Sequence, residues 1–160
     1  MTSLSVLQQP EVLSFVRMAR VARLATASAE AIPHAVPLCF CFDSSNFYFV
    51  VDEKPKRQRG LKLKRMRNIG ANPQVALLID QYEEDWNQLA YVLITGRAQI
   101  VEDQEEYMEA LRHLRDKYLQ YRAMPLSRES NPMVRIEPVA VHAWGARFTP
   151  PAAGAPRQDH

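Results

Sequence analysis

The chain has only two cysteines in its 160 residues. Cys39 and Cys41 stand two apart inside an apolar run, so on a strand both thiols would share a face, a spacing poorly suited to a disulfide. They read instead as small buried hydrophobes of a reducing compartment, and a cytoplasmic protein is expected. No CxxC and no paired histidines accompany them, so no metal centre is expected. No apolar run approaches the roughly 18 residues a membrane helix requires. The opening MTSLSVLQQPEVLSF lacks a basic region followed by an apolar core, and is not expected to act as a secretory signal. Also missing are a Ser-His-Asp set, a glycosidase-like carboxylate pair, a Walker loop and a GxGxxG fingerprint. No catalytic acid or base can therefore be named.

What the chain does have is placed positive charge. Lys54 to Arg67 contains eight Lys or Arg and no carboxylate, whereas the whole protein carries +2. The remainder therefore sums to about −6, and such a cluster after an apolar strand is a candidate anion site. Two anions compete for it: a cofactor phosphate and a nucleic-acid backbone. No aromatic residue lies within Lys54–Arg67 to stack a base, which counts against nucleic acid. A hydrophobic content of 47% with 24% charged residues suits a soluble globular chain with one core.

The pattern predicts a helix over Pro10–Arg20, with Val12, Phe15, Val16 and Ala19 on one face. Arg23–Ser28 reads as a strand. Ala35–Phe42 and Phe47–Val51 flank the turn residues Asp43 to Asn46 and read as a hairpin. Both runs are apolar on almost every residue, so both faces should be covered by a closed barrel or an oligomer interface. A basic helix over Leu61–Gly70, a strand over Gln74–Ile79 and an acidic aromatic loop over Asp80–Gln88 follow. Then come a long strand over Leu89–Val101 bent at Gly96, a helix over Glu102–Tyr121, and a last strand over Met133–Trp144 interrupted at Pro138. Residues 1–149 form one expected domain, and 150–160 a Pro- and Ala-rich disordered tail. The expected fold is mainly β with flanking helices, an antiparallel barrel-like sheet.

Six segments in this order resemble one known superfamily. They are ARVARLAT at Ala19–Thr26, PHAVPLCF at Pro33–Phe40, VDEKPKR at Val51–Arg57, LKRMRNIGANPQVALLID at Leu63–Asp80, YEEDW at Tyr82–Trp86 and TGRA at Thr95–Ala98. The chain is similar to the pyridoxamine-phosphate-oxidase-like split β-barrel proteins, and VDEKPKR with YEEDW resembles their branch of probable F-420-dependent enzymes. That resemblance implies a homodimer with a flavin or deazaflavin, FMN or coenzyme F-420, in two clefts shared by the subunits. It implies an oxidoreductase moving hydride to or from a small substrate, with a non-catalytic flavin- or haem-binding carrier as the alternative. Where related sequences carry two consecutive tryptophans after DW, this chain reads Leu89-Ala90-Tyr91.

The resemblance also implies that Lys54, Lys56 and Arg57 grip the cofactor phosphate, while Val36 and Pro37 line the ring pocket. Arg adds a planar fork that matches two phosphate oxygens; the alternative for the whole run is a solvated basic face. Arg59, Lys62, Lys64 and Arg65 either face solvent or follow the polyglutamate tail of F-420. Arg67 is a candidate for the phosphate or tail, and Asn68 for the cofactor or for backbone groups at a helix end. His34 is a candidate ring contact or acid, otherwise a structural histidine in a turn. His113 is expected at the surface, and His142 is a lone candidate haem ligand. Trp86 and Trp144 are candidate ring contacts, Trp86 from the second subunit; Trp144 otherwise belongs to core or interface.

Overall fold

The computed structural model describes residues 3–52 and 63–148. Four α-helices and seven strands follow one another: α1 (Pro10–Met18), β1 (Ala22–Ala27), β2 (Pro33–Leu38), β3 (Cys41–Phe42), β4 (Phe47–Val50), α2 (Lys64–Ala71), β5 (Gln74–Gln81), β6 (Ala90–Ile100), α3 (Gln104–Lys117), α4 (Leu119–Ala123) and β7 (Met133–Gly145). Proline opens α1 where its missing N–H costs nothing, and Val12, Phe15 and Val16 are its buried face. Asp103 caps α3 by accepting from the Glu106 N–H at 2.8 Å. Acidic residues fill its first turn and basic ones its last, as the helix dipole favours.

One seven-stranded antiparallel sheet runs β2-β1-β5-β6-β7-β4-β3. Its two outer strands, β2 and β3, are consecutive in the chain, so Cys39 and Phe40 carry the backbone across from one edge to the other. This corrects the expected hairpin of Ala35–Phe42 with Phe47–Val51. Only Cys41 and Phe42 pair with β4, while Pro33–Leu38 pairs with β1. Local apolarity was the same for both halves and could not show where the run divides. The residues of β4 are buried on both faces because alternate side chains enter two cores. Phe47 and Phe49 enter the main one, Tyr48 and Val50 a second one with Tyr107, Leu111 and Leu114 of α3. One face of β4 is thus covered by the sheet's own core and the other by a helix of the same chain.

The expected helix over Glu102–Tyr121 breaks at Tyr118, whose backbone is extended at φ −121° and ψ 117°. Its phenol oxygen accepts from the Phe40 N–H at 3.1 Å and lies 2.8 Å from the Arg20 carbonyl, to which it donates. Satisfying these buried backbone groups outweighs one more helical hydrogen bond. Beside it, Lys117 Nζ sits 3.8 Å from the Phe40 ring centroid, with no hydrogen-bond acceptor among the described residues. Burial lowers its pKa from 10.5 to about 8. Burial also pushes the Cys41 thiol up to about 12. Asp80–Gln88 is not wholly loop: β5 continues to Gln81, and Trp86–Gln88 form a 3-10 turn. Glycine at 96 is dictated by packing at the bulge between β6 and β7, since a Cβ there would lie 2.4 Å from the Glu137 carbonyl oxygen. The expected tail lies outside the described residues.

Candidate functional site

The period-2 alternation of the strands sorts the sheet into two faces. Inward, Val36, Leu24, Leu77, Ile94 and Val141 stand opposite one another across five strands, and the last four are fully buried. Outward, Ala35, Ala25, Ala76, Thr95 and Ala140 form a parallel row of small residues. The next outward row is Pro37, Arg23, Leu78, Leu93 and His142, and the one beyond it is Asp80, Tyr91 and Trp144. Every residue of these outward rows is at least partly exposed. Several strands therefore present a broad face of mainly small and apolar side chains to solvent. Contiguous exposed apolar side chains of this kind make the face a candidate binding surface.

At one end of the face α2 meets β1. The buried Asn68 side chain donates to Thr26 Oγ1 at 3.0 Å, and Thr26 stands opposite His34, which is half-buried. Asn68 thus ties the basic helix to the β1–β2 edge. Arg67 and Lys64 are exposed on that helix, while Arg65 is half-buried. Beside this junction lies a groove of about 550 Å³ lined by Ala25, Ala27, Ala76, Gly96 and Thr95, with Asn72, Gln74 and Arg97 among its polar groups. Its small side chains leave room for a planar ring laid along the sheet.

The stem that leads into the basic segment is held on both sides. Val51 donates to the Pro132 carbonyl at 2.8 Å, and its own carbonyl accepts from Asn131 Nδ2 at 3.1 Å. The Tyr121 hydroxyl donates to Asp52 Oδ2 at 2.7 Å. Burial, with that carboxylate beside it, raises the phenol pKa of Tyr121. Lys54, Lys56 and Arg57, with Arg59 and Lys62, lie outside the described residues.

Val36 turns inward and packs against the main core, whereas Pro37 is on the outward face opposite Arg23. Trp144 is half exposed and stacks on Tyr91, with ring centroids 5.7 Å apart and planes at 20°. The Tyr91 and His142 rings are 5.8 Å apart. Trp86 is 73% exposed in its 3-10 turn, where the Asn87 N–H donates to the Asp85 side chain at 3.0 Å. His113 is half-buried on α3, 3.5 Å from Glu109.

Within one chain these candidates fall into separate groups. His34, Asn68 and Arg67 gather at the β1–β2 edge, while Trp144 lies on β7, with β1, β5 and β6 between it and β2. Sequence reasoning missed Tyr91 as the stacking partner of Trp144, and missed the outward rows. The small residues Ala25, Ala76 and Thr95 lie one to a strand on β1, β5 and β6, and only the register lines them up.

The family model of pyridoxamine 5'-phosphate oxidase matches residues 8–145. No curated protein matches the chain by sequence. Among solved structures, a conserved hypothetical protein of Mycobacterium tuberculosis superposes with a TM-score of 0.69 at 20% identity, covering 94% of each chain. The haem storage protein HutZ of Vibrio cholerae gives 0.63 at 17% identity, covering 81% of this chain and 89% of its own. An FAD-binding protein of Mesorhizobium loti gives 0.63 at 19% identity, covering 89% and 95%. At these identities the likeness concerns the fold alone. With its split-barrel sheet and a family match spanning most of its length, the chain belongs to the pyridoxamine 5'-phosphate oxidase family.

Proposed function

We propose that two copies of this chain pair through the outward sheet face and bind a flavin-type cofactor, F-420 or FMN, in each of the two clefts between them. The observation that carries this reading is the separation of the candidate groups. The basic helix tied to β1 by Asn68 and the Tyr91–Trp144 stack stand at different places on one uncovered face. In the pairing we propose, the aromatic region of one chain meets the β1–β2 edge of the other, and two-fold symmetry repeats that contact to give two equal clefts. Lys54, Lys56 and Arg57 then take the phosphate, and Pro37 with His34 lies by the ring. Cytoplasmic placement fits the unpaired cysteines.

The bound cofactor supplies hydride transfer to or from a small substrate. The residues of this chain hold it, orient it and exclude water. F-420 is favoured over FMN because Lys62 and Lys64 extend the charge beyond the phosphate grip, where only the tail of F-420 carries carboxylates. A carrier role is the second reading; His142, half-buried on the same face, would then be a haem ligand, and the purified protein would show a haem spectrum.

Titration with F-420 and FMN, followed by fluorescence, tests the cofactor. F-420 should bind more tightly in low salt, with the preference shrinking as ionic strength rises. Tighter binding of FMN in low salt would refute the assignment to F-420. Loss of neither affinity in the Lys56→Ala/Arg57→Ala variant would move the phosphate elsewhere. Light scattering should give twice the chain mass at micromolar concentration; one chain mass would refute the shared cleft.

A further inference from the structure

A second groove shares Arg23 and Asp80 with the outward rows and otherwise lies outside the groups already described. The C-terminal part of α1, the start of β1, the end of β5 and the turn after β7 enclose a groove of about 460 Å³, a size ordinary for small-molecule sites. Its lining is of two kinds. Phe15, Met18 and Val21 are apolar, and Met18 and Val21 are 75% and 42% exposed. Arg20, Arg23 and Arg147 bring three guanidinium groups, against the single carboxylate of Asp80.

Each guanidinium is held in place by a neighbour. Arg23 pairs with Asp80. Arg147 donates to Gln81 Oε1 at 3.0 Å and lies 5.2 Å from the Phe15 ring centroid. Arg20 lies 4.9 Å from the Tyr118 ring centroid. A guanidinium carries five N–H donors, and these contacts engage one nitrogen of Arg23 and one of Arg147. The arginines are thus oriented in advance with donor capacity beyond those bonds, which lowers the entropy lost on binding an anion.

We propose that this groove binds a small organic monoanion: a carboxylate taken by Arg20, Arg23 and Arg147, with an apolar body that covers Met18 and Val21. The guanidinium fork matches the two oxygens of a carboxylate. Asp80 on the same wall repels a second negative charge, which disfavours a phosphate dianion. The apolar residues give a purely inorganic anion nothing to cover. None of these residues belongs to the phosphate grip, but Arg23, opposite Pro37, and Asp80 stand on the outward face proposed for pairing; the inference therefore requires that the paired protein leave this groove open.

The test is calorimetric titration of the full chain, without added flavin, by octanoate, octanamide and inorganic phosphate. Octanoate should bind at one per chain, about tenfold or more tightly than either of the others, as expected for a charge-assisted pair. Arg147→Gln should weaken octanoate about tenfold and leave octanamide unchanged. Because Arg147 packs on Phe15, Arg20→Gln provides the same comparison in a variant whose side chain is exposed. Equal binding of octanoate and octanamide, phosphate binding as tight as octanoate, or undiminished octanoate binding in both variants would overturn the proposal. So would the absence of octanoate binding at millimolar concentration. Flavin titration of the same samples reads the cofactor site separately, so failure of one reading is told from failure of the other.

Discussion

Replacing Lys117 by Met should stabilise the protein at pH 7. The amine is held against the face of Phe40 with no acceptor among the described residues, and burial lowers its pKa from 10.5 to about 8. Below pH 8 the folded protein must therefore carry a poorly solvated charge that the unfolded chain hydrates freely. Each pKa unit corresponds to about 1.4 kcal/mol, so the full shift sets an upper limit of about 3.5 kcal/mol. The side chain is only half-buried, and the Phe40 ring supports the charged form; together these reduce the net cost to about 1–2 kcal/mol.

Between pH 8 and 10.5 the unfolded chain binds more protons at this site than the folded one, so wild-type stability gains from it as pH rises. The Met variant has no such gain. Its advantage should be complete at pH 7 and gone above pH 10.5. The Cys41 thiol, raised to about 12 by burial with the Lys117 charge pulling it down, acts in the opposite direction above pH 9 in both proteins. Urea unfolding of both at pH 7 and pH 10, followed by circular dichroism, measures this directly. A variant less stable than wild type by the same margin at both pH values would refute the reasoning, because the amine would then have a partner in solution.

Asn68→Ala should cost about 1–3 kcal/mol by leaving Thr26 Oγ1 buried without its donor, and a double-mutant cycle with Thr26→Val should show positive coupling. Gly96→Ala should destabilise by about 1–3 kcal/mol, since the added methyl meets the Glu137 carbonyl; unchanged urea midpoints would show that β6 and β7 part freely. In the native protein a thiol reagent at pH 8 should modify Cys39, which is half-buried, much faster than Cys41, which is buried and raised in pKa. Equal rates by peptide mass mapping would contradict the second core under α3.

Much of the sheet was legible in the sequence. The expected strands at Gln74, Leu89 and Met133 begin within a residue or two of β5, β6 and β7, because apolar residues at alternate positions and a flanking proline or glycine mark them locally. What was not legible depends on distant partners. The run from Pro33 to Phe42 divides at Cys39 because β1 takes one half and β4 the other. The helix ends at Lys117 because the Tyr118 hydroxyl answers backbone groups of Phe40 and Arg20, far away in sequence. In the candidate site, charge, aromaticity and a polar residue near a helix end singled out Arg67, Asn68, Trp86 and Trp144. Which of them share a face was invisible, since that is set by strand order.

The strand order also fixes a folding problem. β5, β6 and β7 include near neighbours in sequence, and the β5–β6 hairpin can form by local search. Phe47, however, pairs with Ile136, and Val50 with Met133, so β4 waits for a strand more than half the chain away. Closing a loop of that length carries a large entropic cost before any contact repays it. Folding should therefore be slow, with substitutions in β5 and β6 affecting the folding rate. Substitutions at the β4–β7 pairing should act mainly on unfolding. Until β4 docks, the apolar edge of β7 stays open to other chains, which makes refolding yield fall as protein concentration rises.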